Sequence, residues 1–286
     1  MIVTAQTIDG KEVSRKKRIE IQTNVQNLKK EGVVPGLAVI LVGNDDASRT
    51  YVANKQKACK ELGIYSELIT FDSTVTQDIL LSKIYELNES NEIHGILVQL
   101  PLPDHLDEDE IINAISPMKD VDGFHPINVG KMVIGQDALM PCTPSGVIVM
   151  LEDKGISLSG KHVVIVGRSN IVGKPLGQML LNRDATVTYC HSKTRDLASY
   201  TNQADILVAA VGRANFITAD YVKQGAVVID VGINRNEEGK LCGDVAYHQV
   251  KDMASYITPV PGGVGPMTIT MLMYNTAKAA RKAIQG

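Results

Sequence analysis

The stretch VVIVGRSNIVGKPLGQMLL (163–181) reads as an apolar strand, a glycine turn and the start of a helix. In a dinucleotide fold such a turn aims backbone N–H groups and the positive end of the helix dipole at a pyrophosphate. The usual glycines stand at relative positions one, three and six. Here Gly167 and Gly173 occupy one and seven, and Ser169 holds the third place. A serine there keeps the backbone farther from a phosphate and offers a hydroxyl donor in exchange. The next strand ends at YCHSKT (189–194), where an NAD-specific fold places a carboxylate on the ribose 2′-hydroxyl. No carboxylate stands there. Ser192 and Lys193 do, with Arg168 just after the first glycine, and cations among hydroxyls suit a 2′-phosphate. NADP is therefore expected over NAD, the plainer alternative being that Arg168 and Lys193 are solvated surface charges.

Outward from this turn, strands are expected at 162–167, 185–190, 205–211 and 226–231, with helical segments between the first three and a helix at 145–154 before them. SYITPVPGGVGPMT (255–268) reads as a loop and MTITMLMYNTAKAARKAI as a final helix with a basic end. The earlier half alternates in the same way. An amphipathic helix at 9–31 ends near Gly32, and strands follow at 36–43, 65–71 and 94–100. Helices are expected at 48–62, closed by Gly63, at 76–88, and at 106–115 with acidic residues in its first turn. Strands that are continuously apolar, and not of period two, belong to parallel sheets covered on both faces. Residues 116–143 break the pattern and read as a connection rich in Pro, Gly and Asp. The fold class is α/β: two domains with parallel-type sheets, the second Rossmann-like, and an active site in the cleft between them.

Composition narrows the function. The chain has 286 residues, 44% hydrophobic and 21% charged, which is that of a soluble globular protein with a sizeable core. Trp is absent and Phe numbers only three, so the core must be aliphatic. A net charge of −3 offers no broad footprint for nucleic acid. MIVTAQTIDGKEV has no basic region followed by a long apolar run, and no apolar run is long enough for a membrane helix. Cys59, Cys142, Cys190 and Cys242 form no CxxC or Cys/His cluster, so no metal is expected and the thiols read as reduced. A cytoplasmic protein with neither nucleic-acid nor membrane partners is expected.

Tyr51 and Lys55, in SRTYVANKQKACK (48–60), stand one helical turn apart on one face. Short-chain dehydrogenases use such a pair, but they begin with the glycine turn and carry the pair far downstream in the same domain. Here it lies far upstream of Gly167, in the other half.

TYVANK, VQLPLP (98–103), DVDGFHP (120–126), GRSNIVGKP and PGGVGPMT (261–268), in this order and spacing, closely resemble the bifunctional methylenetetrahydrofolate dehydrogenase/methenyltetrahydrofolate cyclohydrolase family, nearly end to end. The resemblance implies hydride transfer from 5,10-methylenetetrahydrofolate to NADP⁺, then hydrolysis of the methenyl product to 10-formyltetrahydrofolate. It implies one-carbon metabolism, purine biosynthesis included, and a homodimer. The first step needs orientation of the methylene carbon against the nicotinamide; the second must move protons.

By resemblance Lys55 is central to the hydrolytic step, with Tyr51 and Gln99 around it. A buried lysine near a cationic intermediate has its pKa lowered, and could serve as a base towards water or hand a proton to the departing nitrogen. Gln99, at a strand end, would orient Lys55 or the substrate. Asp122 matches the pterin-binding aspartate, whose carboxylate accepts the N–H donors of the 2-amino-pyrimidinone edge; Asp120 is the competing assignment, with a turn or cap as its plainer role. Pro261, Gly262 and Gly263 would lie against the folate. Gly167, Arg168, Ser169, Ile171, Ser192 and Ile233 would meet NADP, as would Thr143 if it does not cap its helix. The folate domain is expected at 1–119 with the last helix, 268–286, packed back on it; the connection at 120–143; and the NADP domain at 144–267. A single-activity dehydrogenase of the same family is disfavoured by Lys55. A ligand-binding module without turnover is disfavoured by the presence of Tyr51, Lys55, Gln99 and Asp122 together.

Overall fold

A computed structural model describes residues 4–285. Residues 1–3, which open the expected folate domain, and Gly286 of the expected last helix lie outside the described residues. The chain forms two compact units. One comprises Lys16–Cys142 and the residues from Ile269 on; the other comprises the residues up to Arg15 and Thr143–Thr268. These limits differ from the expected ones, for reasons of pairing. A two-residue strand, Gln6–Thr7, adds in parallel to Tyr256–Ile257, which ties this early segment to the unit of Thr143–Thr268. The connection, in turn, does not stand apart: Ile96 donates its N–H to Lys119 O and bridges in parallel with Asp120, so 120–142 belongs with the first unit.

In the unit of Lys16–Cys142, the sheet runs Tyr65–Phe71, Gly36–Val42, Gly95–Val98, all parallel. Every residue of the central Gly36–Val42 is buried, as its unbroken apolar sequence requires, while the edge strand YSELITF is partly exposed and carries polar residues. Ala38, Ile40, Ile84, Ile96, Val98 and Ile111 centre its core. Helix Asp46–Leu62 starts where the Asp45 carboxylate accepts the Ser48 N–H at 2.8 Å and stops at Gly63, whose φ is 73°. Its buried stripe is Val52, Lys55, Cys59 and Leu62. A helix at Pro126–Val133 was masked in the sequence by its Pro and Gly; His125 Nδ1 caps it, accepting the Ile127 N–H at 3.1 Å, and Pro126 fits the first turn.

The other unit carries a six-stranded parallel sheet in the order Gln6–Thr7, Tyr256–Ile257, Val227–Asp230, Ile206–Ala209, His162–Val166, Thr186–Cys190. Helices Gly173–Leu181 and Leu197–Thr201 connect its strands. The stretch expected as loop 255–268 contains the strand Tyr256–Ile257 and the first turns of the helix Val264–Ala283. At Gly167 the φ is 144°, and an added Cβ would stand 2.3 Å from Ala210 O. Strand Ile206–Ala209 runs on beside the turn, with Ala210 N–H donating to Val166 O. Gly167→Ala should therefore lower stability by about 2–3 kcal/mol, read as a fall in the urea midpoint; an unchanged midpoint would count against this packing.

Candidate active site and dinucleotide turn

Lys55 is 9% exposed, at a stripe position that periodicity reserves for an apolar residue. Its Nζ donates to Gln99 Oε1 at 2.8 Å, and Gln99 Nε2 in turn donates to Leu100 O at 2.6 Å. Gln99 lies one residue past Gly95–Val98, its N–H on Ile40 O, so the sheet fixes its backbone and its side chain meets Lys55. Burial pulls the Lys55 ammonium below the ordinary lysine value; Asp122, then Cys142, oppose that. Burial pushes the Asp122 carboxyl up to about 6 against the pull of Lys55, with Asp120 adding to the rise. Tyr51, one turn before Lys55, is 39% exposed, so the pair shares a helix side but not an environment.

Asp120 and Asp122 are now distinguished. The Asp120 carboxylate is buried and accepts the N–H groups of Gly123, Phe124 and His125 and the Asn128 amide, at 2.8–3.2 Å. It is the anchor of its own loop. Asp122, half-buried and close enough to Lys55 for the two charges to interact, accepts none of these four N–H groups.

Sequence reasoning missed two members of this cluster. The buried Cys142 Sγ donates to Val121 O at 3.2 Å, and burial with the nearby Asp122 charge raises its thiol well above the ordinary value. Asn275, buried on the final helix, donates to Val121 O and Met140 O, both at 2.8 Å. It thereby stitches the backbone just before Asp122 to the backbone just before Cys142. The one available signal was an Asn among the apolar residues of MTITMLMYN.

The expected cofactor residues lie in the other unit, as do Pro261, Gly262 and Gly263. Gly167 donates its N–H to Cys190 O at 2.8 Å. Ser169 Oγ accepts the N–H groups of Val172 (3.1 Å) and Gly173 (3.3 Å), closing the turn in place of the usual glycine and leaving its O–H as a donor. Arg168, Ile171, Ser192, Lys193 and Ile233 are exposed. The Thr143 hydroxyl pairs with that of Thr268 at 2.9 Å. Pro261 is exposed, Gly262 has φ 102°, and Gly262 O accepts the Gly10 N–H at 2.9 Å. Among the described residues no group of His, Cys, Asp and Glu is arranged to hold a metal, and no helix is long and apolar enough to cross a membrane.

Residues 8–122 match the family model of the tetrahydrofolate dehydrogenase/cyclohydrolase catalytic domain, and residues 141–284 that of its NAD(P)-binding domain. The chain belongs to the tetrahydrofolate dehydrogenase/cyclohydrolase family. Within it, the Bifunctional protein FolD of Bacillus subtilis (strain 168) is 61% identical over 282 residues, 99% of this chain and 100% of that one. The crystal structure of the Campylobacter jejuni bifunctional methylenetetrahydrofolate dehydrogenase/cyclohydrolase superposes with a TM-score of 0.96 at 52% identity, over 98% of this chain and 99% of that one. The Trypanosoma brucei dehydrogenase-cyclohydrolase, solved with NADP and an inhibitor, gives 0.94 at 38% identity, over 99% and 100%. The family's two domain models divide the chain sequentially. The final helix therefore falls in the NAD(P)-binding stretch, although its residues from Ile269 on pack with Lys16–Cys142.

Proposed function

We propose that this chain oxidises 5,10-methylenetetrahydrofolate to the methenyl form with NADP⁺ and hydrolyses that to 10-formyltetrahydrofolate. The observation that carries the reading is Lys55: a buried lysine with a lowered pKa, held on Gln99 near the carboxyl of Asp122. Asp122 accepts the N–H donors of the pterin edge, and Tyr51 offers its exposed ring and hydroxyl to the bound folate. The methenyl cation brings a further positive charge to Lys55 and favours its neutral form, which takes the proton from the attacking water. Lys55 returns that proton to the departing ring nitrogen as the C–N bond of the adduct breaks, the adduct's hydroxyl proton leaving to solvent. Gln99 holds the amine in place for that transfer. The oxidation asks less of these groups, because the nitrogens next to the methylene carbon stabilise the cation left by hydride departure. Pro261, Gly262 and Gly263 serve the folate as well.

NADP⁺ is the proposed cofactor. Gly167, Ser169, Ile171, Thr143 and Ile233 serve its pyrophosphate and nicotinamide parts, and Arg168 and Ser192 its 2′-phosphate. The folate half is assigned to Lys16–Cys142 with the residues from Ile269 on, the dinucleotide half to the rest. We further propose a cytoplasmic homodimer without nucleic-acid or membrane partners, supplying one-carbon units, purine biosynthesis among their uses. The deciding assay is formation of methenyl-folate absorbance with NADP⁺ and with NAD⁺. One charge-assisted contact to the 2′-phosphate contributes about 1.5–3 kcal/mol. A preference for NADP⁺ in kcat/KM of about ten- to a hundredfold is expected, and Arg168→Ala should largely remove it. Preference for NAD⁺ would overturn the assignment of Arg168 and Ser192; absence of product with either cofactor would overturn the activity.

A further inference from the structure

Asp244 is completely buried, and both its oxygens are occupied. Oδ2 accepts the N–H groups of Val211 (2.6 Å) and Gly212 (3.0 Å); Oδ1 accepts that of Arg213 (2.9 Å) and the side-chain amide of Asn234 (2.8 Å). These donors come from two loops. Residues 211–213 follow strand Ile206–Ala209, and residues 231–234 follow its parallel neighbour Val227–Asp230. Both loops leave the sheet at the carboxyl ends of strands, where open α/β sheets present their ligand contacts.

A second buried carboxylate holds the first. Asp230 accepts the N–H groups of Gly232, Asp244 and Val245, each at 2.9 Å, so the backbone of Asp244 is fixed as well as its side chain. Packing is tight enough to exclude a side chain at two places. A Cβ on Gly232 would stand 2.3 Å from Asp244 Oδ1, and one on Gly243 would stand 1.9 Å from Asp230 Oδ2. Ile233 is bracketed by this frame: Gly232 is tied to Asp230, Asn234 is tied to Asp244, and the Ile233 side chain between them is 51% exposed.

We propose that Asp244 is a positioning residue for the dinucleotide, its carboxylate setting the two strand-end loops, 211–213 and 231–234, against bound NADP. This rests on the reading of that unit as the NADP half. A carboxylate suits the task because it only accepts; an asparagine in its place would turn an N–H₂ towards backbone N–H groups. The frame lies wholly within the unit of Thr143–Thr268, whereas Lys55, Gln99 and Asp122 lie in the other. Cofactor-dependent oxidation and cofactor-independent hydrolysis should therefore respond differently.

The test uses the full chain with Asp244→Asn and Asn234→Ala, measuring oxidation, NADPH binding by fluorescence, and hydrolysis of methenyl-folate without dinucleotide. Loops displaced by a fraction of an ångström misalign the nicotinamide, so in Asp244→Asn the KM for NADP⁺ should rise and the kcat of oxidation fall, each by about tenfold or more. The isotope effect from deuterium at the folate methylene should grow, because hydride transfer becomes slower relative to the other steps. Hydrolysis and the KM for the folate should stay at wild-type values. Asn234→Ala, which leaves the carboxylate and its three backbone donors in place, should raise the KM for NADP⁺ by a smaller factor and remains informative if Asp244→Asn does not fold. Wild-type KM for NADP⁺ in either folded variant, or hydrolysis lost in parallel with oxidation, overturns the proposal. A wild-type chain without NADP⁺-linked oxidation would instead overturn the proposed function.

Discussion

Lys55→Met is expected to abolish hydrolysis and to leave the oxidation in place. Removing a positioned general base costs about 10²–10⁴-fold in rate, and Met keeps most of the side-chain volume, so the buried stripe of Val52, Cys59 and Leu62 still packs. Supplied with 5,10-methylenetetrahydrofolate and NADP⁺, the variant should accumulate the methenyl product, seen as absorbance that no longer decays. A second effect follows from the loss of the ammonium. Lys55 lowers the Asp122 carboxyl, which stands at about 6; without it, that value rises. The ionised form that accepts the pterin N–H groups is then depleted as the pH falls towards neutrality, so the KM for the folate in Lys55→Met should climb on the acid side sooner than in the wild type. Unimpaired hydrolysis in the variant would remove Lys55 from the mechanism.

Asp122→Asn should damage both reactions through the folate. Loss of charge-assisted acceptance at the pterin edge is worth about 1.5–3 kcal/mol, which is roughly a ten- to hundredfold rise in KM for methylene- and methenyl-folate alike. The same substitution shifts the pH profile of hydrolysis, and the sign is fixed by the neighbours. Burial already holds Lys55 below its ordinary value and Asp122 opposes that. Deleting the carboxylate removes the opposition, so the Lys55 pKa falls further. A base active when neutral loses rate as the pH drops through its pKa, and that acid limb should lie at lower pH in Asp122→Asn than in the wild type. A limb that stays put, or moves up, would mean that Asp122 does not act on Lys55.

The strands Gly36–Val42 and Gly95–Val98 were readable because they are buried along their whole length: GLAVILV and GILV leave no alternation to misread. Gly167 was readable because no other residue tolerates that backbone beside Ala210 O. Lys55 was more visible than its motif alone suggests, as a charged residue in a stripe of period 3.6. What stayed hidden depends on partners distant along the chain. Asp120 and Asp122 differ only in whether four N–H donors converge on them. Asp244 finds three of its donors more than thirty residues earlier, in a loop with no pattern to announce it. Asn275 reads as an interruption in an apolar helix until its two carbonyl partners, more than 130 residues upstream, are known. Gln6–Thr7, being two residues long, has no period to detect.

The stitch made by Asn275 bears on how the polypeptide emerges during synthesis. Lys16–Cys142 is made early, but the residues that complete its unit begin at Ile269. Until that tail has been translated, the backbone flanking Asp122 and Cys142 lacks the amide that joins it, and Cys59 lacks Met273 against its sulfur. The intervening Thr143–Thr268 is a sheet-bearing unit whose strands are already complete by then. Order of birth along the ribosome is thus not the order of closure, and the unit that carries Lys55 acquires its finished surroundings last.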